Sequence, residues 1–157
     1  MDNFIRVYEN AFSNELCDRL INKFESTPDS NKERHDMGEM HFSQVNFRAC
    51  GWKQEQNELV NIFLSHTKKY TDDVGITTEF PQKYALEDIR LKKYMPDGND
   101  QFGSHVDVVD KNTSTRFLVF FVYLDDNVSG GTHFDRINLT SPCKKGNILI
   151  FPPLWTH

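Results

Sequence analysis

The sequence predicts an α+β domain in which two helices brace a β-sandwich or barrel. Three observations lead there. Two stretches in the first half carry apolar residues at helical spacing. From residue 84 onward, short alternating runs are separated by Gly, Pro and Asp. One of those runs, RFLVFFVYL, is apolar on both faces, as a strand buried on two sides should be.

In order along the chain, FIRVY (residues 4–8) reads as a short strand. Ser13 stands where a helix N-cap belongs, with Glu15 in the first turn. Leu16, Leu20, Ile21 and Phe24 follow at helical spacing, which predicts a helix over residues 13–26. Residues 28–40 are polar and read as an exposed loop, with His35 and His41 solvated or structural. Residues 41–47 alternate weakly, as an edge strand does. Leu59, Val60, Ile62, Phe63 and Tyr70 give the stripe of a second helix over residues 54–73, with His66 beside it as a packing or surface residue.

Residues 75–81 are a turn-rich connection. LEDIRLKKYM (86–95) alternates, with Ile89 and Leu91 on one side and Arg90, Lys92 and Tyr94 on the other. Residues 96–100 form a turn, 105–108 a strand, and 116–124 the central strand. A turn over 125–131, a short strand at 132–134 and a last strand, NILIF (147–151), complete the pattern.

Size and composition narrow the function. The chain has 157 residues, enough for one domain with a real core, and 13 are phenylalanine, which points to a ring-rich interior. A net charge of −5 without a basic patch argues against nucleic acid as a partner. No apolar run reaches the roughly 18 residues of a membrane span, and MDNFIRVYEN is not a charged-then-apolar leader. Three widely spaced cysteines, Cys17, Cys50 and Cys143, show neither a disulfide framework nor a zinc spacing and point to the cytoplasm.

The chemistry centres on His105-Val106-Asp107. In an extended strand, residues two apart share a face, so this spacing puts an imidazole beside a carboxylate. With a distant histidine, His157, they form a two-His, one-carboxylate set that suits non-haem Fe(II). By itself His-x-Asp is a common tripeptide. Its neighbours add weight: Tyr94-Met95-Pro96-Asp97-Gly98 before it, then Arg116 leading a strand that ends Tyr123-Leu124-Asp125. Gly130-Gly131-Thr132-His133-Phe134 follows, and Gly146-Asn147-Ile148-Leu149-Ile150-Phe151-Pro152 precedes His157.

In this order and spacing, residues 89–157 resemble the 2-oxoglutarate- and Fe(II)-dependent dioxygenases, in particular their prolyl 4-hydroxylase-like branch. The resemblance implies a double-stranded β-helix (jelly-roll) over residues 84–157, with residues 1–80 as helical support in a single domain. It implies His105, Asp107 and His157 as metal ligands, and Tyr94, Tyr123 and Arg116 near the 2-oxoglutarate. O2 and 2-oxoglutarate are the implied co-substrates, ascorbate the reductant, and succinate and CO2 the co-products. The hydroxylated substrate is a protein, a peptide or a small molecule. Residues 97–103, just before the metal ligands, are expected to be mobile and to close over it. His133 is read as structural.

Two departures from the family pattern bear on the chain's extent. Relatives carry a Lys or Arg beyond the distal histidine that pairs with the far carboxylate of 2-oxoglutarate, and some continue as His-x-His, where the second histidine is the ligand. The sequence stops at His157. NILIF, without a following strand, would also leave unpaired backbone groups. The expectation is a C-terminally truncated domain lacking its last strand or strands, in which Arg90 or Lys92 could stand in for the missing cation. Two other classes stay open: a cupin-type metal-binding jelly-roll, disfavoured by the lack of a Glu near His105, and a binding module without catalysis.

Overall fold

The computed structural model describes residues 2–96 and 99–153. A short 3-10 turn at Asp2–Phe4 leads into β1 (Arg6–Tyr8), and α1 (Asn14–Ser26) follows. The Ser13 hydroxyl accepts the Leu16 N–H at 3.2 Å, so the predicted N-cap is in place. The helix ends at Ser26, one residue before Thr27-Pro28, because the residue preceding a proline is disfavoured in helical geometry. A second helix, α2, spans Lys53–Val74, with Gly75 in the left-handed conformation past its end. No helix among the described residues is long and apolar enough to cross a membrane.

The first half supplies strands as well as helices. Residues 28–40, expected as a loop, contain β2 (Glu33–Met37), which pairs antiparallel with β3 (Met40–Asn46). Nor is β3 an edge: β2 lies on one side of it, and β4 (Arg90–Lys93) and β5 (Gln101–Phe102) lie on the other. The expected strand at 86–95 is thus shortened at both ends, and 101–102, expected within a loop, pairs with β3.

The second sheet has the order β1-β9-β6, where β6 is Val119–Val122 and β9 is Ile148–Phe151, all antiparallel. The central strand is therefore β9, not the RFLVFFVYL strand, which among the described residues pairs only with β9. Both sides of β9 are paired, so the unpaired edge expected for NILIF does not arise. A hairpin of β7 (Asn127–Phe134) and β8 (Leu139–Cys143) forms the third element. The expected turn at 125–131 is largely β7, and β8 was not expected at all. Gly131 explains part of the Gly-Gly pair: a Cβ there would stand 2.6 Å from the Ser141 carbonyl oxygen on the facing strand, so only glycine lets the two strands close.

Strand alternation divides the interior in two. On one face of the β1-β9-β6 sheet, Tyr8, Ile148, Ile150, Phe120 and Val122 pack with Leu16, Leu20 and Phe24 of α1 and Leu59, Phe63 and Tyr70 of α2. On the other face, Leu149, Phe151, Val119, Phe121 and Tyr123 pack with Phe134 and Cys143 of the hairpin. All four β9 residues are buried because helices cover one face and the hairpin the other. The architecture is two helices against mostly antiparallel sheets, consistent with a β-sandwich.

Candidate metal and co-substrate site

The segment carrying His105 and Asp107 is irregular rather than the expected strand. It is positioned by its anchors. Gly103 N–H donates to the Glu39 carbonyl at 2.9 Å, in the β2–β3 turn. A Cβ on Gly103 would meet the Glu39 Cβ at 2.5 Å, so the close approach depends on glycine. Ser104 hydrogen-bonds Asp135 just beyond β7. Further on, Arg116 donates to the Asp107 carbonyl oxygen at 3.2 Å while its guanidinium grips Glu87 through two bonds, at 2.7 and 3.0 Å.

Held this way, the two side chains meet as the spacing predicts. His105 Nε2 lies 3.5 Å from Asp107 Oδ1, and both side chains are about a quarter to a third exposed (30% and 24%). His105 Nδ1 lies 2.9 Å from the Gly103 carbonyl oxygen. A carbonyl only accepts, so Nδ1 carries the proton, and Nε2 of a neutral ring is an acceptor aimed toward an acceptor carboxylate. A proton on Nε2 or a metal ion bound by both members reconciles such a pair. A ring whose second nitrogen is fixed by a backbone carbonyl is also the usual preparation of a metal-binding histidine. The donor set fits a divalent metal. Among the described residues no third His, Cys, Asp or Glu joins this pair. His157, the expected third ligand, lies outside the described residues.

An aromatic wall backs the pair. The His105 ring sits 4.2 Å from Phe102, which stacks on Phe42 at 5.4 Å; Phe42 in turn contacts His35 at 4.7 Å and Tyr94 at 5.6 Å. The wall crosses β2, β3, β4 and β5, because side chains at paired positions on one face of a sheet are neighbours. Lys92 projects onto it from β4, its Nζ 4.1 Å from the Phe102 ring centre and 4.5 Å from that of Phe42. Burial pushes the Lys92 ammonium down to about 8, against the opposing pull of Asp107.

The other expected site residues are more dispersed. Tyr94 lies just past β4 on this wall and is 41% exposed. Tyr123 is buried in the second core, where its hydroxyl shares a 2.7 Å hydrogen bond with Thr132 and its pKa is raised by burial. Arg116 faces Glu87 and the Asp107 backbone. Of the remaining histidines, His133 bonds Thr140 at 2.8 Å, His41 bonds Asp36 and Gly38, and His66 bonds the Ile62 carbonyl, as structural residues do. Phe42, Phe102 and the Gly103 carbonyl were not singled out by the sequence. The signal for Phe102 and Gly103 was adjacency to His105; Phe42 had none, because its part depends on β3 pairing with β5.

Asp100, just before β5, is clipped to the β2–β3 pair. Arg34 on β2 donates to both oxygens of Asp100, at 2.7 and 2.9 Å, and Asp100 also accepts the Met95 N–H at 2.9 Å. Arg34 holds the Asp100 carboxyl down at about 2. A carboxylate whose folded pKa is depressed contributes stability above its unfolded pKa, near 3.8, and loses it as pH falls through the folded value. Asp100→Asn is therefore expected to be less stable than wild type above about pH 4 and to show a shallower loss of stability between about pH 4 and 2. Thermal unfolding of both proteins across that range checks this. Parallel curves would mean that the pair contributes nothing.

No protein-family model and no curated protein matches the sequence. Among solved structures, the chain is similar to the viral collagen prolyl hydroxylase of Paramecium Bursaria Chlorella virus-1 in complex with 2OG. The identity is 19% and the TM-score 0.64, over 95% of this chain and 77% of that one. It is also similar to a truncated form of that viral enzyme, at 19% identity and a TM-score of 0.55, over 95% of this chain and 72% of the other. At this identity the likeness is one of fold.

Proposed function

We propose that this chain is an Fe(II)- and 2-oxoglutarate-dependent dioxygenase that hydroxylates an unactivated C–H bond, on a protein or peptide in the manner of a prolyl hydroxylase or on a small molecule. The observation that carries this is the His105–Asp107 pair, fixed at 3.5 Å with the imidazole proton committed to Gly103, on a fold shared with an enzyme solved with 2OG. When bound, iron and 2-oxoglutarate supply the oxidising chemistry, with succinate and CO2 as co-products.

The chain's own residues prepare the site. His105 keeps its proton on Nδ1 and offers Nε2; Asp107 offers a carboxylate oxygen beside it. His157 is proposed as the third ligand. Arg116 acts as a positioning residue, since its bond to the Asp107 carbonyl fixes the backbone from which the carboxylate projects. In this reading Tyr94 and Tyr123 flank the 2-oxoglutarate as hydrogen-bonding or packing partners. The rings of Phe42 and Phe102 keep water from one side of the site.

The test has two stages. Anaerobic addition of Fe(II) and then 2-oxoglutarate is expected to produce a weak visible charge-transfer band. In air, 2-oxoglutarate should be consumed to succinate, with a gain of one oxygen on a substrate found by mass spectrometry of proline-containing peptides and metabolites. Metal binding without the band or succinate would assign the fold to a metal-binding role instead.

A further inference from the structure

Lys92 is a half-buried cation beside the proposed metal ligands, attracted by Asp107 but not ion-paired with it. It alternates with Leu91, which points into the helix-packed core, so Lys92 faces the aromatic wall. Its neighbours on the chain are otherwise engaged: Lys93 pairs with Glu25 at 2.6 Å, and Arg90 bonds the Asp88 carbonyl at 3.3 Å. The Lys92 ammonium has the faces of Phe42 and Phe102. Among the described residues no carboxylate lies within ion-pair distance of it. The Phe102 ring that Lys92 sits on also contacts His105, so the cation and the proposed metal ligands share one ring as neighbour.

Ring faces satisfy the charge of an ammonium in part but accept none of its three N–H bonds well. Water or an incoming oxygen must take those donors. The burial that lowers the Lys92 pKa is a cost that an arriving anion would offset. Phe102, partly exposed, also offers apolar surface to the hydrocarbon next to the anion.

Resting on the oxygenase reading above, we infer that Lys92, seated on Phe42 and Phe102, is a carboxylate-binding residue of the site. It receives a carboxylate of a molecule whose other end reaches His105 and Asp107. Two sources share that chemistry: the far carboxylate of 2-oxoglutarate, and an acidic group on the substrate.

Calorimetric titration with Mn(II), which does not turn over, separates them. The probes are 2-oxoglutarate; 2-oxobutyrate, which keeps the 2-oxoacid head but lacks the far carboxylate; and a glutamate-containing tripeptide added with 2-oxoglutarate present. Lys92→Met preserves length and apolar packing, Lys92→Arg preserves charge, and Lys93→Met is the control. If the co-substrate supplies the carboxylate, Lys92→Met weakens 2-oxoglutarate binding about tenfold or more, the scale of one charge-assisted hydrogen bond. It leaves 2-oxobutyrate unchanged, and Lys92→Arg retains most of the affinity. If the substrate supplies it, only the tripeptide is affected. Equal binding of every probe by wild type and a folded Lys92→Met overturns the inference while leaving the oxygenase reading intact. Failure of wild type to bind 2-oxoglutarate, with Lys92-dependent binding of the tripeptide, overturns the oxygenase reading alone. Failure of wild type to bind any probe overturns both.

Discussion

Asp107→Ala is expected to remove turnover completely and to leave the fold standing. The carboxylate sits 3.5 Å from His105 Nε2 and provides the only negative charge of the proposed ligand set. Without it a divalent metal loses both a bond and its charge balance, which should weaken binding by more than the roughly 10–100-fold typical of losing an outer partner of a ligand. The structural cost is small. Asp107 lies in an irregular segment, and the backbone carbonyl that Arg116 holds is untouched by the substitution. Metal-free stability should therefore stay within about 0.5 kcal/mol of wild type. The check is thermal unfolding with and without Fe(II) or Mn(II): wild type shifts upward with metal, and the variant does not. A variant that binds metal and turns over like wild type would remove Asp107 from the site.

Phe134→Ala should have the largest effect on stability. Phe134 is fully buried, and its ring meets Phe151 edge-on at 5.0 Å and 87°. It is the main side chain by which the β7–β8 hairpin grips the β1-β9-β6 sheet. Removing it costs about 3–5 kcal/mol, from lost transfer energy plus the cavity left behind. Against a total of about 5–15 kcal/mol for a domain, that runs from about a fifth of the stability to all of it. In a chain of this size the midpoint of thermal unfolding should fall by roughly 6–20 °C. Urea unfolding with an unchanged slope and a lower midpoint would confirm the cause. A loss under about 1 kcal/mol, below the range for emptying a packed core position, would mean that the hairpin does not depend on this contact.

Local rules read much of this molecule correctly. The Ser13 cap, the apolar stripes of both helices and the His105–Asp107 pairing all follow from spacing within a few residues. The errors share a cause. RFLVFFVYL is apolar on both faces because helices lie above it and the hairpin below; that says nothing of how many strands flank it in the hydrogen-bonding direction, and β9 holds the centre. The strand ERHDM was missed because it lies on the rim, where its side chains are largely exposed and polar. Pairing with β3, together with the Arg34 contacts to Asp36 and Asp100, holds it there. The aromatic wall was invisible for a third reason. It joins residues from four strands, and no window of sequence contains the register that aligns them.

The pairing of Arg6 with Ile150 also sets a schedule for synthesis. β1 emerges long before β9, the strand that must lie between it and β6. At typical translation speeds the interval is on the order of ten seconds. During it, the apolar faces of α1 and α2 and both neighbours of the missing strand have no sheet to complete. Cooperative folding must wait for residues 148–151, and a topology so rich in distant pairings folds slowly even then. A ribosome that stalls before Ile148 therefore holds a chain with a helical half and exposed strand edges, the form in which this protein is most open to aggregation and to chaperone capture.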